Sequence, residues 1–376
     1  MAGADMHHRT AEFRKLYAKV LGQLKAFIGT QNDVVVLTAS GTGAMEAAVS
    51  NLTSPGDAVL VLTAGKFGER WAGLAKAFGC KVDGVSAPYG KTFDLAEVQR
   101  ALGAHVRAVF VQATETSTGV RHDVGAIGEM LRGSETLLIV DAITGLGTTE
   151  FDVDGAGVDV IIGGSQKALM IPPGLAYCAV SERAWAKMET SKQPRYYFDL
   201  RKERKAAAKG EASYTPSVAL IAAMGAALDY IAGVGGGDVA EGRKQLVANA
   251  ELCAAMTRAA VKAIGLEPFA PQSPAAAVTA VKAPEGMSST EIVKALQAEF
   301  GATVSDGQGE MKGELFRIAH LGYFDYMDTI ALIGALEQVM RQVRPERRAE
   351  LGEGLSAAQQ EYARRAAQQR SAATQV

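Results

Sequence analysis

Lys167 sits in the stretch Gly163-Gly164-Ser165-Gln166-Lys167-Ala168-Leu169-Met170-Ile171-Pro172-Pro173-Gly174, where a β-branched run ends and the surrounding side chains are small or apolar. An exposed lysine needs no such surroundings. Partial desolvation and nearby positive charge lower an ammonium's pKa and free the amine to attack a carbonyl, so the setting suits imine formation. Ser165 and Gln166 beside it are polar enough to hold a phosphate. One strand-to-strand step upstream, Leu137-Leu138-Ile139-Val140-Asp141 ends an apolar run on a carboxylate. Taking a carboxylate out of water is costly unless a cation or hydrogen bonds compensate. Asp141 is therefore either the partner of a cationic ligand or a cap on the turn at Ala142–Gly147.

A third element, Thr38-Ala39-Ser40-Gly41-Thr42-Gly43-Ala44-Met45-Glu46, comes after one strand and opens a helix. Backbone N–H groups and the helix dipole meet there, which makes an anion site. The spacing imitates a dinucleotide fingerprint but has Glu46 in place of its third glycine. By itself it reads equally as a phosphate cradle or as a plain strand-to-helix turn. Together, the three elements supply an imine partner, a carboxylate able to keep a ring nitrogen protonated, and a phosphate site. Those are the parts pyridoxal 5'-phosphate requires.

The elements that must position these residues keep a rhythm. Apolar runs at Val34–Thr38, Ala58–Leu62, Val106–Gln112, Leu137–Asp141, Val158–Gly163 and Leu175–Ser181 read as strands. Helical spacing occupies Ala11–Ile28, Gly43–Leu52, Gly68–Phe78, Leu95–Leu102 and Val124–Leu131. Alternating strands and helices predict an α/β fold with a mostly parallel sheet covered on both faces, binding ligands at the carboxyl ends of its strands. The charged run Arg201–Lys205 reads as a solvated helix face or loop, and Pro216–Ile231 as a long helix. Strands at Val278–Lys282 and Leu315–Ala319, with helices at Ser289–Phe300 and Tyr326–Arg341, predict a small α+β domain. The expected boundaries are 1–240, 241–345 and a polar helical or disordered tail over 346–376.

Bulk properties narrow the function classes. The net charge is −2, with Lys and Arg spread along the chain, which argues against a nucleic-acid or anionic-membrane partner. No apolar run reaches the length of a membrane span and the first ten residues have no signal core, so a cytoplasmic protein is expected. Cys80, Cys178 and Cys253 form no CxxC pair and read as buried thiols. His7, His8, His105, His122 and His320 show no metal-ligand spacing, so no metal site is expected.

From about Met6 to Val343 the chain resembles the class V aminotransferases of fold type I, nearest the alanine–glyoxylate and serine–glyoxylate group. The resemblance is most specific at Ser165-Gln166-Lys167 with Pro172-Pro173-Gly174, and extends to Val140-Asp141-Ala142, Glu115-Thr116-Ser117-Thr118-Gly119 and Phe316-Arg317-Ile318. It implies a large domain with a seven-stranded, mostly parallel sheet and a smaller carboxyl-terminal domain. It makes Lys167 the Schiff-base lysine and proton shuttle, and pairs Asp141 with the pyridine nitrogen. Ser40, Gly41, Thr42 and Gln166 become phosphate ligands. Thr116 reaches the ring's phenolic oxygen, Ile143 packs under the ring, and Phe67 stacks on it where relatives often carry Trp or His. Arg317 becomes the substrate-carboxylate arginine, although a structural salt bridge is the alternative at that position. Tyr214 and Thr215 correspond to a segment lent to a neighbouring subunit's phosphate, which implies a homodimer with shared active sites.

Family members usually begin earlier, with a Gly-Pro-rich loop lining the substrate pocket, and His7-His8-Arg9-Thr10 matches the segment just after that loop. The expected reaction moves an amino group from a small amino acid (alanine or serine, possibly aspartate) to a 2-oxo acid, glyoxylate or pyruvate. Its rivals are a lyase or desulfurase reaction on the same cofactor, and a nicotinamide-binding oxidoreductase built on the Ser40–Ala44 loop.

Overall fold

A computed structural model of the chain describes residues 6–343 and 350–374. Helix α1 (Ala11–Ile28) begins where the Thr10 hydroxyl accepts the Phe13 amide and ends at Gly29, whose positive φ of 79° closes the last turn. Its apolar stripe of Phe13, Tyr17, Val20, Leu24 and Phe27 is buried. Next come β1 (Asp33–Leu37), α2 (Gly41–Leu52), β2 (Ala58–Thr63), α3 (Lys66–Ala77), β3 (Lys81–Ser86), α4 (Leu95–Ala101) and β4 (Val106–Gln112). Short strands β5 (Thr114–Glu115) and β6 (Val120–Arg121) precede α5 (Val124–Met130), β7 (Leu137–Asp141), β8 (Val160–Gly164) and β9 (Ala176–Val180). Helices α6 (Glu182–Met188), α7 (Leu200–Ala207), α8 (Val218–Val234) and α9 (Val239–Ala263) come next.

Seven strands form one sheet in the order β1-β9-β8-β7-β4-β2-β3. Neighbours from β8 through β3 are parallel, and β9 runs antiparallel to both β1 and β8. Because β1 and β8 share that antiparallel neighbour, β1 points the same way as the parallel set. The carboxyl ends of β1, β4, β7 and β8 therefore lie along one edge. Successive side chains alternate between the faces: Leu60, Leu62, Val109 and Val140 belong to the apolar cluster that includes residues of α1, α4, α5 and α8, whereas Val59, Val61, Phe110 and Ile139 belong to the one that includes α2 and α3. Two covered faces explain why most of these strands read as continuous apolar runs. Strand β3 is the exception. It lies at the sheet edge with only Val85 buried, so Lys81, Asp83, Gly84 and Ser86 gave the sequence no strand pattern.

The chain divides into two compact units: 1–115 with 122–246, and 116–121 with 247–376. The division falls inside α9, and Thr116–Arg121 groups with the second unit. That unit contains β10 (Val278–Lys282), α10 (Ser289–Phe300), β11 (Ser305–Asp306) and β12 (Leu315–Ala319), with α11 (Tyr326–Val343) and α12 (Glu353–Thr374). Its sheet is antiparallel, in the order β10-β12-β11. Residues 345 and 346, the expected end of the small domain and start of the tail, lie outside the described residues. Helix α12 occupies most of that tail. The Glu337 carboxylate of α11 accepts the Gly352, Gly354 and Leu355 amides at 3.0, 2.6 and 3.2 Å, tying down the start of α12. The Arg201–Lys205 run lies in α7, which buries Leu200 and Glu203. Among the described residues no single helix is long and apolar enough to cross a membrane.

Candidate active site

Strand ends bring the first group of residues together. Asp141 closes β7, in register with Gln112 of β4 and Ile162 of β8. It is buried, and its carboxylate accepts the Ile143 amide at 2.9 Å. Burial pushes its carboxyl up to about 6; the Ile143 hydrogen bond works against that, the Glu115 charge adds to it, and the Arg70 and Lys167 charges oppose it. A carboxylate held this way gains from any cation placed against it.

Ile143 is the meeting point of three elements. A Cβ on Gly41, the first residue of α2, would fall 2.2 Å from Ile143 Cδ1. One on Gly164, the last residue of β8, would fall 3.2 Å from Ile143 Cγ2 and 3.1 Å from Gln166 Oε1. Glycine is required at 41 because α2 starts against the isoleucine two residues beyond Asp141. The helix start, Ile143 and the Gln166 amide thus converge. Ser40 is the N-cap of α2, yet its side chain makes no capping hydrogen bond and is exposed. Thr42, in the first turn, accepts a hydrogen bond from Arg70 Nη1 at 3.0 Å.

Lys167 lies just past β8 in a tight loop and is partly buried. Ser165 closes that loop. Its hydroxyl donates to the Pro172 carbonyl at 2.9 Å and accepts the Leu175 amide at 3.3 Å. Ser165 is fully buried, so the structure assigns it to the loop, not to a phosphate. The Met170 amide donates to the Lys167 carbonyl at 3.0 Å, and Met170 has φ 60°, the single non-glycine in the left-handed region among the described residues. A methionine held there marks a loop whose shape is fixed by its surroundings.

Phe67 lies in the first turn of α3. That turn is anchored by Glu115, a fully buried carboxylate that accepts the Phe67 and Gly68 amides at 3.2 and 3.0 Å, where the helix dipole favours an anion. Gln112 donates to the Phe67 carbonyl at 2.7 Å. A Cβ on Gly68 would meet Thr63 Cα at 2.8 Å, so only glycine lets α3 start this close to β2. In the sequence, Glu115 and Arg70 stand inside motifs but carry no evident role of their own. The available signal was a carboxylate at the end of a strand that no solvent-facing pattern required.

Other candidates lie elsewhere. Arg317, on β12 of the second unit, is buried and donates from Nε and Nη2 to the Asp306 carbonyl at 3.2 and 2.9 Å. Its Nη1 donates to the Thr116 carbonyl at 3.3 Å. These carbonyls orient the guanidinium. Tyr214 donates its hydroxyl to the Tyr196 carbonyl at 2.8 Å and stacks on Tyr197 with centroids 5.0 Å apart, while Thr215 is exposed.

The first group fits pyridoxal phosphate. Gly41 lets the start of α2 close on Ile143, the helix amides there suit a dianion, and Asp141 is a buried carboxylate suited to a protonated ring nitrogen. Comparison with known proteins agrees. The model of the family described as aminotransferase class-V matches residues 2–312. The chain is 34% identical to the L-aspartate–glyoxylate aminotransferase of Paracoccus denitrificans, over 94% of this chain and 90% of that one. It is 40% identical to a Synechococcus protein named the small subunit of a soluble hydrogenase, over 89% of this chain and 87% of that one. Its structure resembles that of a Thermus thermophilus aspartate aminotransferase, with a TM-score of 0.83, 33% identity, and coverage of 91% and 94%. On the match to its model and on these relatives, the chain belongs to the class V aminotransferase family.

Proposed function

We infer a specific reaction for this chain, which its family makes a transaminase with pyridoxal phosphate as cofactor. We propose that it moves the amino group of a small amino acid to glyoxylate or pyruvate, with Lys167 as the residue that moves the proton. The observation that carries this reading is the convergence of the α2 start and the ends of β7 and β8 on Ile143, beside the buried Asp141. When bound, the cofactor supplies an electron sink for the carbon bearing the amino group.

The chain's own residues do the rest. Asp141 would hold a proton on the ring nitrogen, and Ile143 and Phe67 would hold the ring between them. Ser40, Gly41, Thr42 and Gln166 bind the phosphate, and Thr116 donates to the phenolic oxygen. Lys167 would take the proton from the α-carbon and deliver it to the carbon on the far side of the imine nitrogen, a 1,3 shift. Arg317 binds the substrate carboxylate in a bidentate pair. Tyr214 and Thr215 serve the phosphate of a second copy, so the working unit is a homodimer in the cytoplasm. Alanine and serine are the expected donors, and the names of the Paracoccus and Thermus relatives place aspartate beside them. Cys80, Cys178 and Cys253 are all buried, which disfavours a desulfurase.

The test is an absorbance band from the cofactor on the purified protein, lost in Lys167→Ala, with bleaching by each amino acid in turn naming the donor. A protein that cannot be loaded with pyridoxal phosphate sinks the proposal. A second reading, a subunit of a larger redox assembly, takes its support from the Synechococcus relative's name. Stable co-purification with a redox enzyme and no turnover of any amino donor favours it.

A further inference from the structure

We infer that Arg70 is the cationic ligand of the cofactor phosphate, an inference that rests on the function proposed above. Every phosphate ligand assigned so far is neutral: the hydroxyls of Ser40 and Thr42, the Gly41 amide, the Gln166 amide, and Tyr214 and Thr215. A phosphate dianion gains most from a charged, planar donor.

Arg70 is placed to be that donor. Its Nη1 donates to Thr42 Oγ1 at 3.0 Å, in the first turn of α2, so the guanidinium already touches the cradle. A hydroxyl that accepts from Arg70 keeps its own proton to donate onward. Among the described residues Arg70 makes no ion pair with a carboxylate, whereas Lys66, the other cation of this turn of α3, is paired with Glu69 at 2.9 Å. The guanidinium also lies over the Phe67 ring, 4.8 Å from its centroid, an attraction that adds to the Thr42 hydrogen bond in holding it at the start of α3. Glu115 fixes the same turn through the Phe67 and Gly68 amides, so the position of Arg70 is set by a buried anchor even though its own side chain is exposed.

The test compares apo protein with Arg70→Gln and Arg70→Lys, using pyridoxal phosphate, pyridoxal lacking the phosphate, and inorganic phosphate as a competitor of loading. Arg70→Gln is expected to weaken pyridoxal phosphate roughly ten- to hundredfold and inorganic phosphate by a similar factor, as for the loss of a charged hydrogen bond. Arg70→Lys falls between, and pyridoxal binds all three proteins alike. Equal weakening of pyridoxal and its phosphate overturns the inference, because Arg70 then acts through the Phe67 stack. So does unchanged cofactor affinity with a raised KM for dicarboxylic donors alone. Failure of the unmodified protein to bind pyridoxal phosphate refutes the function itself, a result distinct from either.

Discussion

Two buried aspartates sit at opposite ends of neighbouring strands and are treated in opposite ways. Asp159, immediately before β8, accepts the Leu138 amide at 2.9 Å, the Ser181 hydroxyl at 2.8 Å, and both Nε and Nη2 of Arg183 at 3.0 and 2.6 Å. Asp141, at the far end of β7, has the Ile143 amide and a carboxyl pushed up to about 6. Both are almost inaccessible. The first is satisfied within the chain. The second carboxylate has the Ile143 amide alone among the described residues, so a cation placed against it would offset the cost of its burial. The carboxyl edge of the sheet is built to bind, and the amino edge is built to hold.

Substitutions can break this contrast. The largest stability effect belongs to Asp159→Ala, which takes the acceptor from the buried Leu138 amide and removes the Ser181 and Arg183 contacts together: a loss of roughly 3 kcal/mol in denaturant unfolding, with cofactor affinity of the folded protein unchanged. Asp141→Asn should do the reverse. The apo protein gains on the order of 1–3 kcal/mol at pH 7.5 while cofactor affinity collapses. Equal destabilisation by both substitutions removes the distinction.

The pH dependence is set by the sign of the Asp141 shift. Its carboxyl titrates near 6 when folded and at its ordinary value of 3.8 when unfolded, so the folded state holds the proton more tightly. Stability from this group is complete below the lower value and is lost as pH rises through about 6. The advantage of apo Asp141→Asn is therefore largest above pH 6 and disappears toward pH 4. Cofactor binding runs the other way. Below pH 6 the ratio of native to Asp141→Asn affinities should fall about tenfold per pH unit, and a flat ratio from pH 5 to 7 contradicts the assignment. The smallest effect is that of Ser165→Ala. It loses two hydrogen bonds within the Lys167 loop and about 1–2 kcal/mol, with the affinity for inorganic phosphate preserved. A tenfold loss of phosphate affinity there would return Ser165 to the binding set.

Much of the fold was legible because strands buried on both faces leave unbroken apolar runs, and amphipathic helices leave a repeat. Strand β3 escaped for the opposite reason: at the edge, with its neighbour's hydrogen bonds to hold it, it needs little apolar surface. The charged run at Arg201–Lys205 was readable as a solvated helix face, but not that Glu203 turns inward. In the candidate site, Asp141 stood out because a carboxylate ending a buried apolar run has a cost that must be offset, and Lys167 because its neighbours are small or apolar. Ser165 and Gln166 are adjacent and chemically alike, and nothing in their types distinguishes the serine that closes the loop from the glutamine near Gly164.

What the sequence determined by itself was therefore the inventory: a lysine set among small and apolar residues, an acid ending an apolar strand and a glycine-rich helix start, each conspicuous in its local context. Tertiary structure alone decided which of them meet. Gly41, Ile143 and Gly164 converge because β1, β7 and β8 point the same way, and Arg70 reaches Thr42 because Glu115 anchors the turn between them. Local pattern encodes burial and element type, whereas contact between distant residues depends on strand order and helix placement, which no local pattern carries.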